Sequence, residues 1–94
     1  MANTFLYGPY VWVSEDGAPP GTVHLWTWGP WPWYANEVIV TAHPFALAGA
    51  NRQVEVTSQN MQAAPDGNRY LHANVHIIGP DWTNYAVWLG GVSP

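Results

Sequence analysis

Tryptophan is concentrated in one short segment of this sequence, and indole rings are its side chains best suited to recognition chemistry. The chain has 7 tryptophans in 94 residues. Four of them lie in the segment LWTWGPWPWY, residues 25–34: Trp26, Trp28, Trp31 and Trp33. Flat indole faces suit the apolar face of a sugar ring, another aromatic ring or a partner's proline. The chemistry indicated is therefore noncovalent binding of a ring-shaped or apolar ligand.

Glycine and proline between these tryptophans decide how the rings would be held. Proline fixes φ, so rings at Trp31 and Trp33 would be ordered before a ligand arrives, which favours binding. Trp26 and Trp28 are two residues apart, hence about 6.6–6.8 Å apart on a strand, a spacing that suits a platform for adjacent rings. The alternative is that the rings fill a small core, which stabilises the fold by about 1.5–3 kcal/mol for each buried ring. Both interpretations remain open for all four rings.

A ligand of this kind also needs hydrogen-bonding groups close to the rings. If the strands run alternately up and down, the loop at 29–36 shares one end of the molecule with the turn at 62–68. Trp82 would then lie at the opposite end, near Glu15 and Asp16. The predicted ligand-binding residues are accordingly Trp26, Trp28, Trp31, Trp33, Tyr34, Asn36, Asp66 and Asn68. We expect carbohydrate as the ligand, ahead of another neutral ligand such as a peptide or lipid.

The histidines could suggest a metal site, but their spacing argues against it. His72 and His76 lie about 13 Å apart if they share a strand, whereas zinc takes ligand nitrogens at about 2.0–2.1 Å. A site that pairs one of them with His24 or His43 from a neighbouring strand stays open. Serines have no accompanying nucleophile motif, and the carboxylates form no catalytic pair. We predict no metal, no other cofactor and no catalysis.

Composition narrows the possible partners. Only 9% of residues are charged, lysine is absent and the net charge is -4. Nucleic acid binding draws on a basic patch, so that partner is disfavoured. No apolar run approaches the roughly 20 residues of a membrane helix, so we expect no membrane insertion. The opening residues show no signal-peptide pattern, although the scarcity of charge is typical of a secreted or surface-associated protein.

Glycine and proline recur about every ten residues, the turn spacing of an all-β sandwich or barrel. The chain length suits a single domain over residues 1–94. We predict a small antiparallel β-sandwich of about six to seven strands. The extended stretches are 4–14, 21–28, 37–43, 52–61, 69–78 and 84–92.

Turn residues predict how the strands connect. Pro65, Asp66 and Gly67 favour a tight hairpin before residue 69. A second hairpin through Gly79 and Asp81 would make the last three strands a meander. The segment PFALAGAN, residues 44–51, is the expected crossing between two sheets.

Alternating residues predict which side chains face the core. In 69–78 the aliphatic set is Leu71, Ala73, Val75 and Ile77. The same rule places Val11 and Val13, Val23 and Leu25, Val54 and Val56, and Val87 and Leu89 in the interior. The aromatic and polar residues between them are then expected to face outward, as an aromatic sheet face.

The closing segment RYLHANVHIIGPDWTNYAVWLGGV, residues 69–92, resembles the last two strands of immunoglobulin-like and fibronectin-type modules of bacterial surface proteins. The resemblance implies an immunoglobulin-like sandwich and transfers no functional residue. Our leading hypothesis is a noncatalytic carbohydrate-binding, lectin-like module. The alternative is a self-assembling structural subunit, a homo-oligomer or filament that uses the same aromatic surfaces. Homo-oligomers are expected in either case, because exposed apolar patches commonly mark interfaces.

Overall fold

A computed structural model describes residues 3–31 and 37–93 of the chain. These residues form six strands and no helix. The strands are β1 (Asn3–Trp12), β2 (Val23–Trp31), β3 (Glu37–Pro44), β4 (Val54–Ala63), β5 (Arg69–Ile77) and β6 (Tyr85–Ser93). Each overlaps one of the six stretches expected from the glycine and proline spacing. The prediction of an all-β fold is confirmed.

The strands form two antiparallel three-stranded sheets, in the orders β1-β6-β3 and β2-β5-β4. One cluster of buried side chains draws on both sheets, so the sheets pack face to face as a small sandwich. Its members are Ala18, Trp28, Val40, Leu71, Ala73, Val75, Ile77, Tyr85, Val87 and Leu89. The immunoglobulin-like assignment stays a prediction.

The expected aliphatic core is confirmed for the strands of the second half of the chain. On β5, the inward set from Leu71 to Ile77 is at most 1% exposed. Val87 and Leu89 of β6 are equally buried, and Val54 and Val56 of β4 pack against the cluster. Alternation with an aliphatic interior thus predicts the burial pattern of β4, β5 and β6.

On β1 and β2 the predicted alternation is wrong, because the aromatic set faces inward. Val23 and Leu25 are 54% and 69% exposed, whereas Trp28 is only 9% exposed. Val11 and Val13 are exposed in the same way. An aromatic ring buries about 150–250 Å², more than valine can, so turning the rings inward removes more apolar surface from water.

The strand connections confirm two predictions and correct a third. Residues 64–68 form the predicted hairpin, in which the Asn68 amide donates to Asp66 Oδ1 at 2.9 Å. The segment that follows Pro44 crosses between the sheets as predicted. The second hairpin, and with it the meander, is wrong: β5 and β6 lie in different sheets. Residues 78–84 instead bind another loop, since the Asp81 amide donates to the Asn51 carbonyl at 3.1 Å.

Two tetrapeptides of one pattern, aromatic-Gly-Pro-aromatic, interrupt the edge strands of the two sheets. Residues 7–10 shift the register of β1 against β6, and residues 28–31 shift that of β2 against β5. Gly8 and Gly29 have φ values of 134° and 133°, and both Gly-Pro bonds are cis. An aromatic ring of the central strand lies over each glycine, Trp88 over Gly8 and Tyr70 over Gly29. Each sheet therefore carries the same β-bulge at its edge.

The structure confirms the prediction that Trp31 and Trp82 lie at opposite ends of the sandwich. Trp31 is paired with Arg69, which places the end of β2 beside the 64–68 turn. At the other end Thr83, the residue after Trp82, bridges to Ala18. Trp31 and Trp82 thus lie at opposite ends and belong to no common site.

Candidate binding groove beside strand β2

The two long sides of the sandwich are built differently. On one side β3 and β4 lie close together, and the side chain of Gln59 joins them. Its Oε1 accepts a hydrogen bond from Val40 N–H at 3.0 Å, and its Nε2 donates to the Val38 carbonyl at 2.8 Å. This bidentate pair occupies backbone groups on the free edge of β3 and closes that side.

On the opposite side β1 and β2 stand further apart, and aromatic rings occupy the space between them. We call this set the aromatic seam: Tyr10, Trp12, His24, Trp26, Trp28 and Tyr85. Trp12 lies over His24 with ring centroids 4.6 Å apart, and Trp26 stacks on Trp28 at 5.7 Å. Ring contacts at these distances contribute beyond their buried area. The seam therefore holds its rings in fixed positions.

The Tyr85 hydroxyl, at the centre of the seam, fixes two of these rings. Trp26 Nε1 donates to it at 2.9 Å, and it lies 2.7 Å from His24 Nδ1. An indole nitrogen only donates, so the hydroxyl oxygen accepts from Trp26 and its own hydrogen is available to His24. In the tautomer in which His24 accepts this hydrogen at Nδ1, its own ring hydrogen is on Nε2.

Burial shifts the pKa values of both members of this pair toward their neutral forms. Desolvation lowers the pKa of His24 below its ordinary value. Desolvation raises the pKa of Tyr85, and the hydrogen bond from Trp26 opposes that shift. At neutral pH the pair is therefore an uncharged phenol hydrogen-bonded to an uncharged imidazole.

An open groove of about 370 Å³ runs along this side of the molecule. It is lined by Trp12, Val23, His24, Leu25 and Trp26. The Thr22 carbonyl accepts from the Ile77 amide, and hydrogen-bonded residues alternate along an antiparallel pair. Val23 and Leu25 consequently turn their backbone N–H and C=O groups toward the free edge of β2. The groove thus combines ring faces with unpaired polar backbone atoms.

The residues predicted to bind a ligand are divided between several places. Trp26 lines the groove, whereas Trp28 belongs to the buried core. Trp31 is half-buried against that core at the far end of β2. Trp33, Tyr34 and Asn36 lie outside the described residues.

Asp66 and Asn68 form a separate polar cluster in the 64–68 turn. The Asp66 carboxylate accepts from the Asn68 amide at 2.9 Å and from the Tyr70 hydroxyl at 3.3 Å. The Asn68 amide and these further donors hold the pKa of Asp66 below its ordinary value. The pKa of Tyr70 is raised, by desolvation first and then by the Asp66 charge. This cluster adjoins Trp31 through Arg69 and is not part of the groove.

Four groove residues were not among the predicted site: Trp12, Val23, His24 and Leu25. The sequence did carry a signal for the rings, since aromatic residues and His24 alternate with other residues along much of β1 and β2. The expectation that aliphatic side chains take the interior hid that signal. The free backbone edge follows only from the sheet order.

Outside the groove, the remaining histidines have local hydrogen-bond partners. His43 lies 3.2 Å from the Thr41 hydroxyl, and His72 lies 2.9 Å from Gln62 Oε1. His76 lies 3.4 Å from the Glu55 carboxylate. Within residues 3–31 and 37–93, no three His, Asp or Glu side chains gather as metal ligands would. The same residues include no helix able to cross a membrane.

Comparisons with protein-family models, with curated proteins and with solved structures find no match to this chain.

Proposed function

We propose that this protein is a noncatalytic binding module that recognises a neutral carbohydrate in the groove beside β2. The observation that carries the proposal is the coincidence of half-buried aromatic rings and polar edge atoms in the lining of one open groove. The rings belong to Trp12, His24 and Trp26, and the backbone atoms to Val23 and Leu25. Carbohydrates present apolar C–H faces and hydroxyls together, so a matching site must offer both kinds of surface.

The ring surface is organised before a ligand binds. Trp12 contacts both His24 and Tyr85, and the Tyr85 hydroxyl bonds to His24 and Trp26. A ligand therefore does not have to order these side chains, which lowers the entropic cost of association. The groove volume of about 370 Å³ falls within the range of about 300–1,000 Å³ that is usual for small-ligand sites.

The polar groups of the groove suit hydroxyls. In the tautomer that accepts from Tyr85, His24 can donate a hydrogen from Nε2, and the free edge of β2 offers both donors and acceptors at Val23 and Leu25. No residue lining the groove carries a formal charge at neutral pH. A neutral ligand avoids the desolvation of an unpaired charge, which favours an uncharged sugar over an anion.

The lining also supports binding without catalysis. Glycoside hydrolysis ordinarily uses two carboxyl groups about 5–9.5 Å apart, and the groove has none among its five lining residues. Tyr85 is fully buried beneath the rings, so its hydroxyl positions the groove and does not face a ligand.

Intrinsic tryptophan fluorescence, titrated with a panel of neutral oligosaccharides, tests the proposal. We expect a saturable spectral shift with at least one sugar. Trp12→Ala should abolish the shift, while Trp82→Ala should retain it, because Trp82 is half-exposed and outside the groove. Trp31→Ala separates the groove from the turn cluster: loss of binding in that variant alone would place the ligand at the predicted end site. The absence of a fluorescence shift with every sugar in the panel would refute the proposal.

A further inference from the structure

The outer surface of the β1-β6-β3 sheet exposes a row of large apolar side chains. Leu6 and Ile39 flank Gly90 in one row across the three strands, and they are 66% and 62% exposed. Further apolar outward residues of the same strands are Val11, Ala86, Trp88 and Val92, and the polar ones described are Thr4, Thr41 and His43. We call this surface the apolar face. The central strand of the other sheet instead presents polar side chains outward: His72, Asn74 and His76.

The charged side chains that the structure describes lie away from the apolar face. The described outward side chains of β1, β6 and β3 include no Asp, Glu, Lys or Arg. Seven of the eight charged residues lie in loops, in the hairpin or on the other sheet: Glu15, Asp16, Arg52, Glu55, Asp66, Arg69 and Asp81. The eighth, Glu37, is the first residue of β3, where it is paired with Val92. The described part of this face therefore offers a charged partner no complementary charge, and two copies of it would bring no like charges together.

The four edge strands are each obstructed against pairing with another chain. β1 and β2 carry the proline-containing bulges, and β3 has backbone groups occupied by Gln59. β4 has a bulge between Val56 and Ser58 and carries the Glu55 charge. Bulges, prolines and charged side chains commonly prevent an exposed edge strand from pairing with another chain. Association through an extended sheet is thus disfavoured, whereas no described side chain on the apolar face is charged.

We propose that the apolar face packs against the same face of a second copy, forming a two-fold symmetric dimer. The molecule measures 45 × 29 × 19 Å, and the shortest dimension matches two stacked sheets with their side chains. Its broad face is therefore large enough for the roughly 800 Å² that each partner buries in a typical stable interface. A face-to-face contact between two sheets also repeats the packing that already forms the core.

The shape of the face suits insertion of side chains from a facing copy. Gly90 adds no side chain to this row, and Leu6 Cδ1 lies 3.8 Å from the position that a Cβ would take there. Leu6 and Ile39 are both largely exposed, and side chains that project from a sheet interdigitate when two sheets pack. Because the contact is isologous, the dimer closes and does not grow into a filament. The groove beside β2 lies on a different side of the molecule, so the dimer does not depend on sugar binding.

Sedimentation equilibrium over a wide range of concentrations tests this dimer. We expect wild-type protein to dimerise reversibly. Leu6→Glu should raise the dissociation constant by about 100-fold or more, because the interface would bury an unpaired charge. Leu25→Glu is the matched control: it places the same change at a leucine of similar exposure, 69%, in an edge strand of the other sheet. It should leave the dissociation constant unchanged.

Circular dichroism checks that each variant is folded, and Ile39→Glu repeats the test if Leu6→Glu unfolds. A wild-type monomer at all concentrations would overturn the proposal. So would a dimer that Leu25→Glu dissociates and Leu6→Glu does not, or a mass that keeps growing with concentration. Monomeric protein that floats with phosphatidylcholine vesicles, and loses that property in Leu6→Glu, would assign the face to a lipid surface instead.

Discussion

Gln59 of β4 pairs through its side-chain amide with the backbone of Val40 in the opposite sheet, with 3.0 Å between Val40 N and Gln59 Oε1. The same amide donates to the Val38 carbonyl. One polar side chain thus substitutes for the neighbouring strand that the edge of β3 lacks, and it joins the two sheets on that side. On the opposite side of the sandwich, the aromatic seam joins the two sheets.

Replacing Gln59 should destabilise the protein. For Gln59→Ala we expect a loss of about 0.5–1.5 kcal/mol in the free energy of unfolding, since the bonds are partly exposed to solvent. Urea denaturation measures the loss, and Asn60→Ala, at the next and outward-facing position, is the control. Equal effects of the two substitutions would show that the Gln59 bonds contribute nothing.

Gln59→Glu tests the bidentate geometry itself. A carboxylate can accept from Val40 N–H but faces the Val38 carbonyl with no hydrogen to donate. The variant should be less stable than wild type at neutral pH and should recover at acidic pH, where the protonated carboxyl can donate. Unfolding curves of both proteins at several pH values measure this, and an unchanged difference between them across that range would contradict it.

Removing the Tyr85 hydroxyl should loosen the aromatic seam. In Tyr85→Phe the Trp26 indole N–H and His24 Nδ1 lose their shared partner inside the protein. We expect a loss of about 1–3 kcal/mol, the cost of leaving buried polar groups unsatisfied. Tyr70→Phe, which removes a hydroxyl bonded to the exposed Asp66 at 3.3 Å, should cost about 0.5 kcal/mol or less. Thermal or urea unfolding measures the loss of stability in each variant. Similar losses would show that the Tyr85 hydroxyl contributes no more than the Tyr70 hydroxyl.

Acidification should destabilise the fold through His24. Burial lowers the pKa of this imidazole in the folded state, so the unfolded chain binds the proton more readily. The contribution of His24 to stability is therefore intact above the unfolded pKa of about 6.5 and is lost as the pH falls through the lower folded pKa. Protonation at Nδ1 would also leave the buried Tyr85 hydrogen without its acceptor.

The difference between wild type and His24→Gln isolates this effect, because the other titrating groups are common to both proteins. We expect the free energy of unfolding of wild type to decline more steeply than that of the variant between pH 7.5 and 5. Parallel curves would mean that His24 is as easily protonated in the folded state as in the unfolded chain.

The sequence predicts the strands better than it predicts which faces they bury. Glycine and proline spacing locates all six strands, because turns depend on local backbone preferences. Burial on β1 and β2 depends instead on the width of the gap between two sheets, which no local pattern encodes. The same holds for the groove: Trp12 and Trp26 come together only once the sheet order is known. The expected hairpin at Gly79 failed because its turn is held by Asn51, which is distant in sequence.

One regularity could have been found from the sequence alone, namely the pair of aromatic-Gly-Pro-aromatic segments at 7–10 and 28–31. The two segments share only these residue types, so the pattern becomes informative once the structure shows the same bulge in both. Gly8 and Gly29 therefore occupy equivalent positions in the two bulges. In each, a side chain would meet the central strand of its own sheet: a Cβ at Gly29 would lie 2.7 Å from the Arg69 carbonyl oxygen.

Gly29→Ala should therefore be more harmful than alanine at another glycine of positive φ. Gly21 has a φ of 90°, and a Cβ added there would have no neighbour within 4 Å, so Gly21→Ala carries only the backbone penalty, about 1 kcal/mol. At Gly29 the contact with β5 adds to that penalty, because the strand must shift or the bulge must open. We expect a total loss of about 2–4 kcal/mol, measured by urea denaturation. Equal losses at the two positions would mean that the approach of Gly29 to Tyr70 does not constrain the edge of β2, and that the bulge tolerates a side chain.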